Sequence, residues 1–116
     1  MRRVDDPRQG FYRTRLIRDA LAVGVMIWHG KPVIDGEQQD RRARWNVAVD
    51  GRTCNRDGEL LDAHDLWPFV QPISHREFAF LKRRALWARK HAPEHPAARP
   101  YAPIDRRKLP PLIGGR

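Results

Sequence analysis

Cysteine is nearly absent from this 116-residue chain, which contains only Cys54. A lone cysteine excludes an internal disulfide, and it cannot by itself form a structural zinc site, because such sites take four ligands. The composition therefore favours a reducing compartment in which Cys54 is a free thiol.

Long apolar runs are also lacking. The longest one, over residues 20–28, is about half as long as a membrane-spanning helix and predicts a strand instead. The first residues include arginines but no apolar segment after them, so they do not resemble a secretory signal. We therefore expect a cytoplasmic protein that does not bind membranes.

Recognisable catalytic motifs are missing as well. The chain has no Gly-rich phosphate-binding loop, no nucleophile elbow and no CxxC pair. Residues 57–65 contain four carboxylates and a histidine that would suit a divalent cation, but this pattern is more typical of a turn and a capped helix start. His91 and His95 have a zinc-like spacing, yet Pro93 interrupts the helix between them. The sequence predicts a protein that is not an enzyme and has no metal or cofactor, with a metal-dependent hydrolase as the least favoured alternative.

Positive charge is abundant, and it is concentrated in the C-terminal part of the chain. The net charge is +9. Residues 1–73 carry 12 Lys/Arg against 11 Asp/Glu, whereas residues 74–116 carry 11 against 3. A segment with this imbalance attracts polyanions. We therefore predict that the partner is nucleic acid or an acidic protein surface.

The first half of the chain has the pattern of a small antiparallel sheet. Residues 11–18 mix strand formers with polar residues, and residues 23–29 are almost wholly apolar, as in a central strand covered on both faces. Residues 45–49 alternate with period two and precede an Asp50-Gly51 turn. The remaining segments predict a solvated loop over residues 30–42, a short fourth strand over 52–55, and one or two helical turns over 60–67.

A long helix follows. Ser74 and Glu77 fit a capping box, in which the serine hydroxyl accepts from the Glu77 amide and the Glu77 carboxylate reaches back to the cap amide. The helix is predicted over residues 75–91, and six prolines occur from Pro93 onward. The predicted fold is α+β, with a sheet of three to four strands packed against one C-terminal helix in a single domain over residues 1–92. Residues 93–116 are predicted as an extended, Pro-rich basic tail, and a closed small barrel is the alternative topology.

The predicted helix has two distinct apolar faces. One should pack on the sheet and contains Phe78, Leu81, Ala85, Ala88 and Ala92. On the other face, Phe80 and Trp87 are surrounded by cations, an arrangement that suits base stacking and phosphate contacts. Alternatively, these two aromatics pack under the tail or at a dimer contact, and the cations are merely solvated. The predicted binding residues are Arg76, Phe80, Arg83, Arg84, Trp87 and Lys90, together with the tail cations Arg106, Arg107 and Lys108.

A series of short motifs occurs in order along the chain, at residues 12–16, 27–28, 44–45, 66–68, 73–78, 86–88 and 95–98. This order resembles that of small phage and prophage proteins over residues 11–111. The resemblance implies no activity and no site residues. It implies a phage origin, location in the host-cell cytoplasm, and a role either in handling nucleic acid or in blocking a host defence complex such as a CRISPR effector.

Charge, helix pattern and resemblance together favour a non-enzymatic accessory protein that binds nucleic acid with weak sequence preference, because phosphate contacts position a strand without specifying it. The alternative is an inhibitor that docks the same surface on a host complex, with Trp87 as an anchor.

Overall fold

The computed structural model describes residues 7–101 of the chain. They form a four-stranded antiparallel sheet, a two-stranded hairpin, one long helix and short helical turns, which confirms the predicted α+β class. The strands are β1 (Gly10–Thr14), β2 (Val23–Gly30), β3 (Val33–Ile34), β4 (Glu37–Gln38), β5 (Arg44–Val49) and β6 (Gln71–Pro72); the helices are α1 (Ala63–Leu66) and α2 (His75–His91), and 3-10 turns span Trp67–Phe69 and Pro96–Ala98.

One of the two inner strands of the sheet is β2, as its apolar sequence predicts. The strand order is β5-β2-β1-β6, so β2 pairs with a neighbour on each side. Val25 and Ile27 are fully buried in the core on one face of β2, and Gly24 on the other face packs against Phe78 of α2. Since β5 and β6 lie at the two edges, the described residues form an open sheet rather than a closed barrel.

Two Asp-Gly pairs shape the connections between strands. Both residues of each pair have positive φ, the type I′ geometry that joins antiparallel strands tightly. Asp50-Gly51 follows β5, as predicted. Asp35-Gly36 joins β3 to β4, so the prediction of a solvated loop over residues 30–42 is wrong in its middle. There the turn residues form a hairpin in spite of the polar composition around them.

The fourth strand of the sheet comes from a segment that was not predicted as a strand. Residues 52–55, predicted for this role, form only isolated bridges. Instead β6 pairs with β1. Pro72 is tolerated in β6 because an edge strand does not need every backbone N–H for pairing. The first strand is also shorter than predicted over residues 11–18, since β1 ends at Thr14.

One face of the sheet packs against the segment between β5 and β6. The edge of the Tyr12 ring meets Trp67 there, with 5.4 Å between ring centroids. Within this segment, α1 begins at Asp62, whose carboxylate accepts a hydrogen bond from the His64 amide at 2.9 Å. The helical turns predicted over residues 60–67 are confirmed from Ala63 onward, whereas Leu60 forms an isolated bridge with Cys54. The buried core on this face consists of Tyr12, Val23, Val25, Ile27, Val47, Val49, Ala63, Trp67 and Val70.

The other face is covered by α2, which spans the predicted residues. The Ser74 hydroxyl accepts from the Glu77 amide at 3.0 Å, as the capping box predicts. The Glu77 carboxylate does not complete the predicted box. It accepts from the Arg13 guanidinium at 3.0 Å and so ties the start of α2 to β1.

Gly24 lets α2 lie close to β2. A Cβ at this position would lie 3.0 Å from Cδ1 of Phe78, whose ring also packs against Phe11 with a centroid distance of 4.8 Å. The sheet-facing side of α2 is confirmed, since Leu81, Ala85 and Ala88 are buried and Phe78 and Ala92 are partly buried.

The beginning of the predicted tail is folded. Residues 93–101 include the 3-10 turn Pro96–Ala98, in which Ala97 is buried. The His95 imidazole caps this turn by accepting from the Ala97 amide at 3.0 Å. The extended conformation predicted for the tail therefore does not hold for its first residues.

Candidate nucleic-acid interface

The side of α2 turned away from the sheet carries five of the six helix residues predicted to bind, and the sixth, Arg84, lies at its edge, where it is partly buried beside Ala22. Residues seven positions apart lie in a row along a helix, so 76, 83 and 90 form one row and 80 and 87 form another. Phe80 is 51% exposed and Trp87 is 52% exposed, so neither ring is completely buried under residues 93–101, although His95 contacts Trp87. We call this surface the outer face of α2; it consists of Arg76, Phe80, Arg83, Arg84, Trp87 and Lys90.

Arg84 lies over the ring of Phe80, with Cζ 5.5 Å from the ring centroid. It is partly buried, and its Nη2 donates to the Ala22 carbonyl at 3.4 Å. Its Nε is buried and has no hydrogen-bond partner within residues 7–101. Burial lowers the pKa of the guanidinium from its ordinary value, because the charged form loses hydration. The contacts of Arg84 fix one side of Phe80 and leave the rest of the ring to solvent.

Trp87 contacts two imidazoles. His91 lies one turn further along α2, with 6.4 Å between the ring centroids. His95 meets the indole edge-on at 5.9 Å, and its own position is set by its hydrogen bond to the Ala97 amide. The indole is therefore oriented by the folded start of the tail while half of its surface stays exposed.

The exposed cations of the outer face have no carboxylate partner in the described part of the chain. Among residues 7–101, Arg76, Arg83 and Lys90 form no ion pair. The nearby acidic residues are engaged by other arginines: Glu77 pairs with Arg13, Asp50 with Arg89, and Glu94 with Arg99. The positive charge of this face is therefore not neutralised by the part of the chain that is described.

The two clusters that suggested metal chemistry have other roles in the described structure. Across residues 7–101, no three His, Cys, Asp or Glu side chains lie close enough together to hold a metal ion. In the acidic segment, the Asn55 side chain accepts from the Asp57 and Glu59 amides in a turn, and Asp62 caps α1. The hydrogen bond from the His64 amide is the main cause that lowers the pKa of Asp62.

Sequence reasoning missed His91 and His95 as partners of Trp87. His91 is four residues from Trp87, a spacing that places both on one side of a helix, so the sequence alone could have predicted this contact. The contact with His95 depends on how the chain turns back after Pro93, which no local pattern specifies. Arg106, Arg107 and Lys108 lie outside the described residues.

In the described part of the chain, no helix combines the length and apolar character needed to cross a bilayer. Neither a protein-family model, nor a curated protein, nor a solved structure matches this chain.

Proposed function

We propose that this protein is a non-enzymatic accessory factor that binds nucleic acid through the outer face of α2. The observation that carries the proposal is the pairing of two half-exposed aromatic rings with three exposed cations that have no carboxylate partner among residues 7–101. Unpaired cations attract phosphates, and an exposed ring offers a surface to a base. Arg106, Arg107 and Lys108 add further positive charge in the same part of the sequence.

The two adjacent arginines, Arg83 and Arg84, differ in their surroundings. Arg83 is exposed, so it is available to a phosphate. Arg84 is partly buried and contacts both Phe80 and the Ala22 carbonyl. Replacing Arg84 would therefore disturb the site as well as remove a charge, and Arg83 is the cleaner test of phosphate binding.

The matched control for Arg83 is Lys82, an exposed cation that lies next to it in the same helix. Adjacent helix residues point about 100° apart, so Lys82 lies away from the row formed by residues 76, 83 and 90. Both Arg83→Ala and Lys82→Ala remove one positive charge. A difference in nucleic-acid affinity between the two variants is therefore due to the position of the charge and not to the net charge.

The test is fluorescence anisotropy with nuclease-treated full-length protein and labelled oligonucleotides, over about 50 to 300 mM salt. We expect micromolar or tighter binding at low salt, and a salt slope that falls by about one for Arg83→Ala and much less for Lys82→Ala. Equal effects of the two variants would contradict the proposed surface. No binding at low salt would contradict nucleic-acid binding altogether.

A protein partner is the second candidate, and one observation favours it. Leu86 is 55% exposed beside Trp87, and an aliphatic side chain contributes more to a protein interface than to base stacking. In this case the same helix would dock on an acidic surface of a host complex, with Trp87 as the anchor. A stable complex that forms without nucleic acid and persists in high salt would support this candidate.

A further inference from the structure

We infer that the outer face of α2 accepts single-stranded nucleic acid, with phosphates along the row of Arg76, Arg83 and Lys90 and bases on Phe80 and Trp87. The inference rests on the proposed function and specifies which form of nucleic acid the site accepts. Three features of the described residues support it: how the rings are held, how the two rows are spaced, and how long the face is.

Both rings are contacted on part of their surface and open on the rest. Phe80 is contacted by the Arg84 guanidinium, and Trp87 by His91 and His95. A ring that is already held loses little side-chain freedom when a base stacks on it. In a duplex the base faces are covered by their neighbours, whereas in a single strand they are available for stacking on aromatic side chains. The preorganised rings therefore favour a single strand.

The spacing of the two rows agrees with a strand that runs along α2. Seven helix residues span about 10.5 Å, at 1.5 Å per residue. This distance is close to that of three stacked nucleotides, at about 3.4 Å each. Arg76, Arg83 and Lys90 could thus contact every third phosphate of a stacked strand, while Phe80 and Trp87 contact two bases from the neighbouring row.

The length of the face limits the size of the site. From residue 76 to residue 90 the helix rises about 21 Å, which corresponds to about six stacked nucleotides. A nucleic-acid strand that is more extended would span the same length with fewer nucleotides. Beyond about six nucleotides, affinity should rise only slowly, because further phosphates lie past the row of cations.

The experiment compares three probes: single-stranded dT6, an abasic strand with the same number of phosphates, and a six-base-pair duplex whose strands are joined at one end by a flexible linker without bases, so that it stays paired at low salt. Full-length protein is titrated against each at one low salt concentration, with anisotropy as the measurement. We expect dT6 to bind at least about 10-fold more tightly than the abasic strand, since each stacked base contributes to affinity. We also expect dT6 to bind more tightly than the duplex.

Variants of Phe80 and Trp87 test whether these two rings cause the preference for dT6 over the abasic strand. Phe80→Ala combined with Trp87→Ala should bring dT6 affinity close to that of the abasic strand and leave abasic binding nearly unchanged. Leu86→Ala is the matched control, because Leu86 is as exposed as Trp87 and lies on the same helix but outside the aromatic row. Trp87→Phe, which retains a ring, should keep most of the preference for dT6.

The outcomes distinguish this inference from the function on which it rests. If the abasic strand binds as tightly as dT6, base stacking on Phe80 and Trp87 is overturned, and if the duplex binds as tightly as dT6, the preference for a single strand is overturned. In both cases nucleic-acid binding stands. If none of the three probes binds, both are overturned. If Leu86→Ala removes the preference as fully as the double variant, the assignment to Phe80 and Trp87 is overturned.

Discussion

The guanidinium of Arg84 lies over the ring of Phe80 at 5.5 Å, one helical turn away on the outer face of α2. Arg84→Lys keeps the charge but has no planar group to lie over the ring. We expect dT6 affinity to fall about 2- to 5-fold, which corresponds to about 0.5–1 kcal/mol for such a contact. The salt slope should not change, because the number of charges is the same. A lower slope in anisotropy titrations would contradict the role of Arg84 as a support for Phe80.

The close approach of α2 to Gly24 predicts that this position does not accept a larger residue. In Gly24→Ala, the new Cβ would lie 3.0 Å from Phe78, which cannot easily retreat because it packs against Phe11. We expect a loss of about 1–3 kcal/mol in unfolding free energy, measured by urea denaturation. Gly30→Ala is the control on the same strand, since its Cβ would meet Trp28 at an ordinary 3.5 Å. Equal losses in the two variants would contradict the packing argument.

The ion pair between Arg89 and Asp50 joins the last turns of α2 to the turn after β5. The Asp50 side chain is only 12% exposed, so Arg89→Ala leaves a largely buried carboxylate without its partner. We expect a loss of about 1–3 kcal/mol in unfolding free energy.

A double-mutant cycle with Asp50→Asn isolates the contribution of this pair. Asp50 has φ of 53°, a conformation that asparagine also adopts readily, so the substitution preserves the turn and removes the charge. The two variants should be non-additive by about 1 kcal/mol. Strict additivity would show that the ion pair does not stabilise the fold.

The cap of α1 predicts a pH-dependent contribution to stability. The pKa of Asp62 is lowered, chiefly by the hydrogen bond from the His64 amide. The folded protein therefore binds this proton less tightly than the unfolded chain does. Asp62 stabilises the fold fully above its unfolded pKa of about 4, and this contribution is lost as the pH falls through the lower folded value.

Asp62→Ala should accordingly cost about 1 kcal/mol near neutral pH, and its difference from the wild type should shrink in strong acid. Asp62→Asn keeps a good cap without a titrating group and serves as the control. Urea denaturation at neutral pH and near pH 3 tests this. A loss for Asp62→Ala that is the same at both values would contradict the assignment.

Local signals predicted the elements that local chemistry determines. The start of α2 is set by Ser74 and its end by the prolines after residue 92, because a helix cap and a helix-breaking residue each act within one turn. The apolar run of β2 and the Asp50-Gly51 turn are equally local. The separation of α2 into a buried side and an outer face also followed from helix periodicity alone, since burial of Leu81, Ala85 and Ala88 requires Phe80 and Trp87 to face elsewhere.

The features that sequence reasoning missed depend on residues far apart in the chain. Residues 71 and 72 become a strand only because β1 has a free edge beside them. Glu77 leaves the capping box because Arg13, 64 residues earlier, offers a stronger partner. The way His95 meets Trp87 is set by the fold of residues 93–101 against α2. Tertiary contacts of this kind leave no periodic pattern in the sequence.

The most direct test of the central claim is a titration of isotopically labelled full-length protein with dT6, followed by amide and indole chemical shifts in two-dimensional NMR. The account predicts that the largest shifts occur at Phe80, Arg83 and the Trp87 indole, with little change at Trp67 in the core on the opposite face of the sheet. Shifts centred away from α2, or the absence of any shift at saturating dT6, would contradict the claim that the outer face of α2 binds nucleic acid.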